Sequence, residues 1–127
     1  MEREYQAKVV AVIGKELTKK EMFSVSRFSR CKDVASLLSE QEVIVKEVQT
    51  VAIVEVHNEK SENTDYKKMV VIGSDGSRYV TGSETAMREM MDIMDYMAEY
   101  DEAFDVQFVT RPSNNFKDRD FITVELL

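Results

Sequence analysis

One cysteine, one histidine, one proline and four glycines are all that the 127 residues contain of these types, and each scarcity removes a kind of chemistry. A single cysteine excludes an intramolecular disulfide, and with a single histidine it cannot supply the ligands of the usual zinc sites. Cys31 lies between Arg30 and Lys32, cations able to lower a thiol pKa. No histidine in a catalytic context accompanies it, so it reads as a small residue at a strand end. None of the four glycines has the spacing of a P-loop or a dinucleotide-binding turn. There is no nucleophile elbow, no Ser/His/Asp set and no cluster with metal-ligand spacing. The expectation is therefore no catalytic residue, no cofactor and no metal: not an enzyme. No apolar run approaches the ~20 residues of a membrane span. The opening "MEREYQAKVV" is charged and lacks the apolar segment of a secretory signal. No membrane partner and a cytoplasmic location are expected.

What is present is charge, unevenly spread. Hydrophobic content of 43% and charged content of 32% are ordinary for a globular chain, and the length suits one domain over 1–127. The net charge is −7, yet residues 15–32, "KELTKKEMFSVSRFSRCK", hold six Lys and Arg against two Glu, a net of +4. The rest carries 11 basic and 22 acidic residues, net −11. A basic surface on an acidic body can still attract a polyanion through its local field.

β-branched and aromatic enrichment predicts strands over "QAKVVAVI" (6–13) and "EMFSVSRFS" (21–29), and "KDVASLLSEQ" (32–41) offers one helical turn. "EVIVKEVQTVAIVEVH" (42–57) is apolar in both phases of a period-two pattern. That predicts a long bent strand, bulged near Lys46 to Thr50 and buried on both faces over part of its length. "NEKSENTDY" (58–66) is a loop, and Asp75-Gly76 closes a hairpin over 69–81. A type I′ turn there pairs Tyr79 with Ile72 and Arg78 with Gly73. Ser83 is an N-cap, and Met87, Met90, Met94 and Met97 recur at helical spacing to about Tyr100, as a core-filling stripe. "FDVQFVT" (104–110) and "DFITVELL" (120–127) read as strands around a loop containing Pro112. The fold class expected is α+β, mostly antiparallel: an OB-like small barrel or open sheet with one amphipathic helix.

Cations interleaved with rings are the remaining signal. Unspecific binding of single strands needs both, cations for phosphates and ring faces for bases. If 21–29 is a strand, Lys20, Met22, Ser24, Ser26, Phe28 and Arg30 share one face, and Phe23, Val25 and Arg27 lie on the other with Glu21. Phe23 and Val25 then form the core side, and Phe28 is a stacking platform between Lys20 and Arg30. Tyr66-Lys67-Lys68, Arg78-Tyr79 and Phe116-Lys117 with Arg119 follow the same theme at hairpin ends. Local pattern leaves Tyr79 open between a cross-strand packing partner and an exposed ring. His57 reads as a polar strand terminus.

"VVIGSDGSRYVTGSETAMREMMDIMDYM" taken with "FDVQFVTRPSNNFKDRDFITVELL" resembles the single-stranded-DNA-binding proteins of protein-primed small Bacillus phages, the phi-twenty-nine-like group. The likeness runs in order and spacing from Met69 to Leu127, and over 1–68 in element order only. It implies a replication protein that coats and protects displaced single strands without sequence preference, in a bacterial host's cytoplasm. Tyrosines contact DNA in that group, and Tyr79 follows its D-G-S-x motif. Where further rings would be expected after the long strand, Val54 and Lys60 stand instead, and Tyr66 is shifted. The expected contacts are Lys19, Lys20, Arg27, Arg30, Lys67, Lys68 and Arg78 on phosphates, and Phe28, Tyr66 and Tyr79 on bases, with self-association left open. The rival expectation is an acidic phage or bacterial accessory protein that binds or inhibits a protein partner as a DNA mimic. Its contact surface would be Asp92, Asp95 and Glu99, with Asp101 and Glu102 beyond; otherwise these acids are the solvated side and end of the helix.

Overall fold

The computed structural model describes residues 5–60, 62–112 and 120–127. The strands are β1 (Tyr5–Gly14), β2 (Cys31–Asp33), β3 (Val43–Val45), β4 (Val48–Asn58), β5 (Asp65–Gly73), β6 (Arg78–Thr81), β7 (Val106–Pro112) and β8 (Asp120–Leu126). The helices are α1 (Lys19–Ser26), α2 (Val34–Leu38) and α3 (Glu84–Met97). A five-stranded sheet runs in the order β1-β4-β5-β6-β2, antiparallel except where β2 joins β6 in parallel. A three-stranded antiparallel sheet has the order β3-β7-β8. The architecture is α+β and mostly antiparallel. Of the two forms expected it is the open sheet, and among the described residues neither sheet closes into a barrel. None of the described helices is long and apolar enough to cross a membrane.

The double phase of the long apolar run has a direct cause. Val51 and Ile53 of β4 face a core shared with α3 and the small sheet, including Met69, Val71, Met90, Met94 and Phe108. Ala52, Val54 and Val56 face a second core under α1, with Val25, Val70 and Val80. Both faces of the strand are covered, so both phases are apolar. The register shifts between Val48 and Thr50, within the stretch where a bulge was expected. The first part of the run is nevertheless a separate strand. β3 leaves the long strand at Lys46-Glu47, where Glu47 takes a φ of 48°, and pairs with β7 instead.

Residues 21–29 are not a strand. Thr18 caps α1: the Glu21 N–H donates to Thr18 Oγ1 at 3.1 Å, and the Thr18 N–H donates to Glu21 Oε1 at 3.0 Å. This reciprocal box satisfies two backbone donors at the helix start and outweighs the strand preference of Phe23 and Val25. Faces drawn at period two therefore do not exist. Val25 is buried as expected, but Phe23 is 64% exposed. The helix lets the chain leave one edge of the sheet at β1, cross its face, and enter the far edge as β2.

α3 begins at its Ser83 cap, whose Oγ accepts the Ala86 N–H at 3.2 Å and donates to the Ile122 carbonyl at 2.7 Å, fastening the helix start to β8. Its buried residues, Ala86, Met90 and Met94, make the methionine stripe a core filler. Removing the α1 cap by Thr18→Ala should lower stability by about 1 kcal/mol in urea unfolding; no change would mean α1 is held by packing alone. Gly14→Ala should cost more than the roughly 1–2 kcal/mol of a left-handed non-glycine backbone. Gly14 has a φ of 97°, and an added Cβ would sit 2.3 Å from the Gln49 carbonyl oxygen. The same unfolding measurement checks it, and a wild-type midpoint would refute it.

Candidate nucleic-acid interface

Strand register decides which candidate side chains share a surface. Val56 lies opposite Tyr66 and Ala7, Val54 opposite Lys68, and Tyr5 opposite Asn58. Alternation then puts Tyr5, Tyr66 and Lys68 on the face that α1 covers. Over this face the Lys68 Nζ lies 5.4 Å from the centre of the Phe28 ring. At the C-terminal end of α1 the guanidinium of Arg27, the residue after the helix, lies 5.1 Å from the centre of the Phe23 ring. Lys20, Phe23 and Arg27, all exposed, follow at intervals of three and four along the outer side of the helix, with Lys19 beside them. Partial burial and neighbouring Tyr66 push the Tyr5 phenol above its ordinary pKa, against the pull of Arg27. Tyr5 and Arg27 also line the same surface cavity.

The turn after α1 is unusual. Phe28 and Arg30 both take left-handed φ values, 56° and 58°. The Phe28 N–H donates to Val25 O at 2.9 Å and the Ser29 N–H to Ser24 O at 3.1 Å, a Schellman ending with phenylalanine where glycine is usual. Each such residue costs roughly 1–2 kcal/mol of backbone energy. Arg78 reaches this turn from β6: its Nη1 donates to Ser24 Oγ at 2.8 Å and to the Ser29 carbonyl at 3.1 Å.

Eight of the ten expected contact residues, Lys19, Lys20, Arg27, Phe28, Arg30, Tyr66, Lys68 and Arg78, belong to the α1 side of the sheet. Lys67 and Tyr79 do not. Lys67 pairs with Glu55 on the opposite face. Tyr79 pairs with Val71, not Ile72, and packs half-buried into the core under α3, with the Lys32 Nζ 5.8 Å from its ring centre. The hairpin explains this correction. Its loop holds three residues, Ser74, Asp75 and Gly76, and Gly76 alone has positive φ, 87°. The extra residue moves the pairing by one position relative to a type I′ turn, which turns Tyr79 to the other face. The Asp75 Oδ1 accepts the Ser77 N–H at 2.9 Å, which holds this loop and keeps the Asp75 carboxyl below its usual pKa.

Two rings at the interface, Phe23 and Tyr5, were missed. Phe23 was readable from Thr18-x-x-Glu21, a capping box that makes Lys20, Phe23 and Arg27 neighbours on a helix. Tyr5 had no local signal, because only its pairing across from Asn58 brings it there. Phe116, Lys117 and Arg119 lie outside the described residues. Cys31 begins β2, and burial raises its thiol pKa, Arg78 being the cation that opposes the rise.

The other side of the molecule is acidic. Seven carboxylates and one arginine lie between residues 84 and 102. Asp92, Asp95, Glu99, Asp101 and Glu102 are all exposed, and the Tyr96 and Tyr100 rings stand among them with centroids 5.3 Å apart. No protein-family model, curated protein or solved structure matches the chain.

His57 ends β4 as a polar residue. Its Nδ1 is 2.8 Å from Asp65 Oδ1 and its Nε2 3.5 Å from Glu59 Oε1. The hydrogen bond to Asp65, helped by Glu59, raises its pKa above the ordinary imidazole value. The folded chain therefore favours protonated His57. That stabilisation is complete below the unfolded value of about 6.5 and is lost as pH rises through the higher folded value. An NMR titration of the imidazole should show a midpoint above about 6.5 that Asp65→Asn brings back toward it; an unmoved midpoint would acquit Asp65.

Proposed function

We propose that this chain is a non-enzymatic protein that binds single-stranded DNA without sequence preference through the α1 side of its five-stranded sheet. The observation that carries the reading is convergence. Cations and rings from α1, its C-terminal turn, β1 and β5 lie on one face, with Arg27 against Phe23 and Lys68 against Phe28. Lys19, Lys20, Arg27, Arg30 and Lys68 meet phosphates. Phe28 and Tyr66 stack on bases, joined by Phe23 and Tyr5. Ring faces accept any base, and cations read charge alone, so no sequence is selected. Lys67 and Tyr79, on the opposite face, take no part. The likeness of Met69–Leu127 to the phage proteins supplies the setting: coating of displaced strands during DNA replication in a bacterial host's cytoplasm.

A second reading has one observation in its favour, the exposed Tyr96–Tyr100 pair within the acidic surface of α3. Rings spaced among carboxylates imitate a strand of nucleic acid, and a protein with a basic DNA-binding groove would be the partner.

Titration of a fluorescent oligo-dT separates the two. Each phosphate neutralised on a single strand contributes about −0.7 to the slope of log K against log salt, so five cations give roughly −3.5. Affinity should fall roughly 100-fold between about 50 and 200 mM salt. Tyr66→Ala should lose roughly 1–3 kcal/mol of binding, whereas Tyr79→Ala should lower stability and leave binding unchanged. Absence of saturable binding at low salt would remove the first reading and leave the second.

A further inference from the structure

The strained turn after α1 and the arginine that braces it carry an inference that rests on the single-strand reading and divides its cations into two kinds. The Schellman hydrogen bonds account for the conformation of Phe28, but Arg30 is left-handed as well, two residues later. Glycine would relax either position. The chain instead has a large ring at one and an exposed cation at the other. Strain of this kind persists where surrounding contacts hold it, and Arg78 is such a contact. Through one nitrogen it joins Ser24, in the last turn of the helix, to Ser29, the residue between the two strained ones. Arg78 is half-buried and comes from β6, beneath the turn, while Lys68 from β5 flanks the Phe28 ring.

We infer that Phe28–Arg30 is a preformed clamp for one nucleotide of a single strand, with the base on the Phe28 ring beside Lys68 and the adjoining phosphate on Arg30. Arg78 is a positioning residue that holds the clamp, not a phosphate contact. Both N–H groups of its Nη1 are taken by Ser24 Oγ and the Ser29 carbonyl, which fixes the half-buried guanidinium in the turn, so replacing it removes geometry and leaves the count of phosphates engaged unchanged. A direct contact would change that count.

The salt slope of oligo-dT binding, measured on the full chain, reads this difference. Arg30→Gln should weaken binding and lower the slope by about 0.7. Arg78→Gln should weaken binding about tenfold, the loss of one stacked base, with the slope of wild type. Phe28→Gly should weaken binding about tenfold as well; because the Phe28 ring also packs against the core under α1, binding is compared at a temperature where circular dichroism shows the variant folded. If Arg78→Gln fails to fold, Arg78→Lys keeps the charge without the guanidinium reach and should show a smaller loss, again at unchanged slope. A slope lowered by Arg78→Gln as much as by Arg30→Gln would make Arg78 a phosphate contact and overturn the assignment. Undiminished binding by Phe28→Gly or by both Arg78 variants would overturn the clamp while the wider interface stood. Failure of wild type to bind is a different result, and removes the interface and the clamp together.

Discussion

A strand buried on both faces has to be covered on both, and β4 imposes that requirement on everything around it. Val51 and Ile53 need one apolar layer, while Ala52, Val54 and Val56 need another. Neither layer can be spared, because exposing a row of β-branched side chains costs roughly 25 cal/mol for each square ångström returned to water. The helices are the answers to this demand. α3 and the small sheet close one side with methionine and phenylalanine. On the other side α1, held at its start by the Thr18–Glu21 box, lies across the sheet in the connection between its two edge strands.

The same arrangement keeps opposite charges apart. Most of the segment of net +4 covers one face, Lys32 lying instead over Tyr79 on the other, and the carboxylate-rich helix is part of the cover of that other face. Between them lie buried Val, Ile and Met side chains. A chain of net −7 can then carry a locally positive surface. Total charge is a poor guide to partners when a sheet divides it in this way.

Local backbone geometry sets the detail. One left-handed glycine, Gly76, completes a three-residue loop and so turns Tyr79 inward. Arg78, its neighbour, consequently faces the α1 side and braces the helix ending through Ser24 and Ser29. The Arg78-Tyr79 pair therefore divides between the two cores: the cation secures one cover and the ring fills the other. Glu47 does comparable service beside the same loop, where its positive φ separates β3 from β4 and its carbonyl accepts the Ser74 N–H at 2.9 Å.

Much of this was legible in the order of residues. The two apolar phases of 42–57 announced a strand covered twice, the methionine spacing announced α3, and Ser83 its start. The basic cluster at 15–32 and the acids of α3 were likewise plain, because composition along a chain does not depend on how it folds. Residues 21–29 were misread because alternating Phe, Val and Ser suit a strand, and the side-chain cap that decides otherwise lies just before them. The register of the hairpin was out of reach: Asp-Gly is compatible with loops that differ by one residue, and that residue determines the face of every side chain beyond. Sequence alone determined which residues carry charge, which are apolar and how often they recur, since these belong to each residue and its near neighbours. Only the tertiary structure decided that Tyr5, Phe23, Phe28, Tyr66 and Lys68 share a side while Tyr79 does not, since pairing between strands far apart in the chain is what gives each side chain its direction.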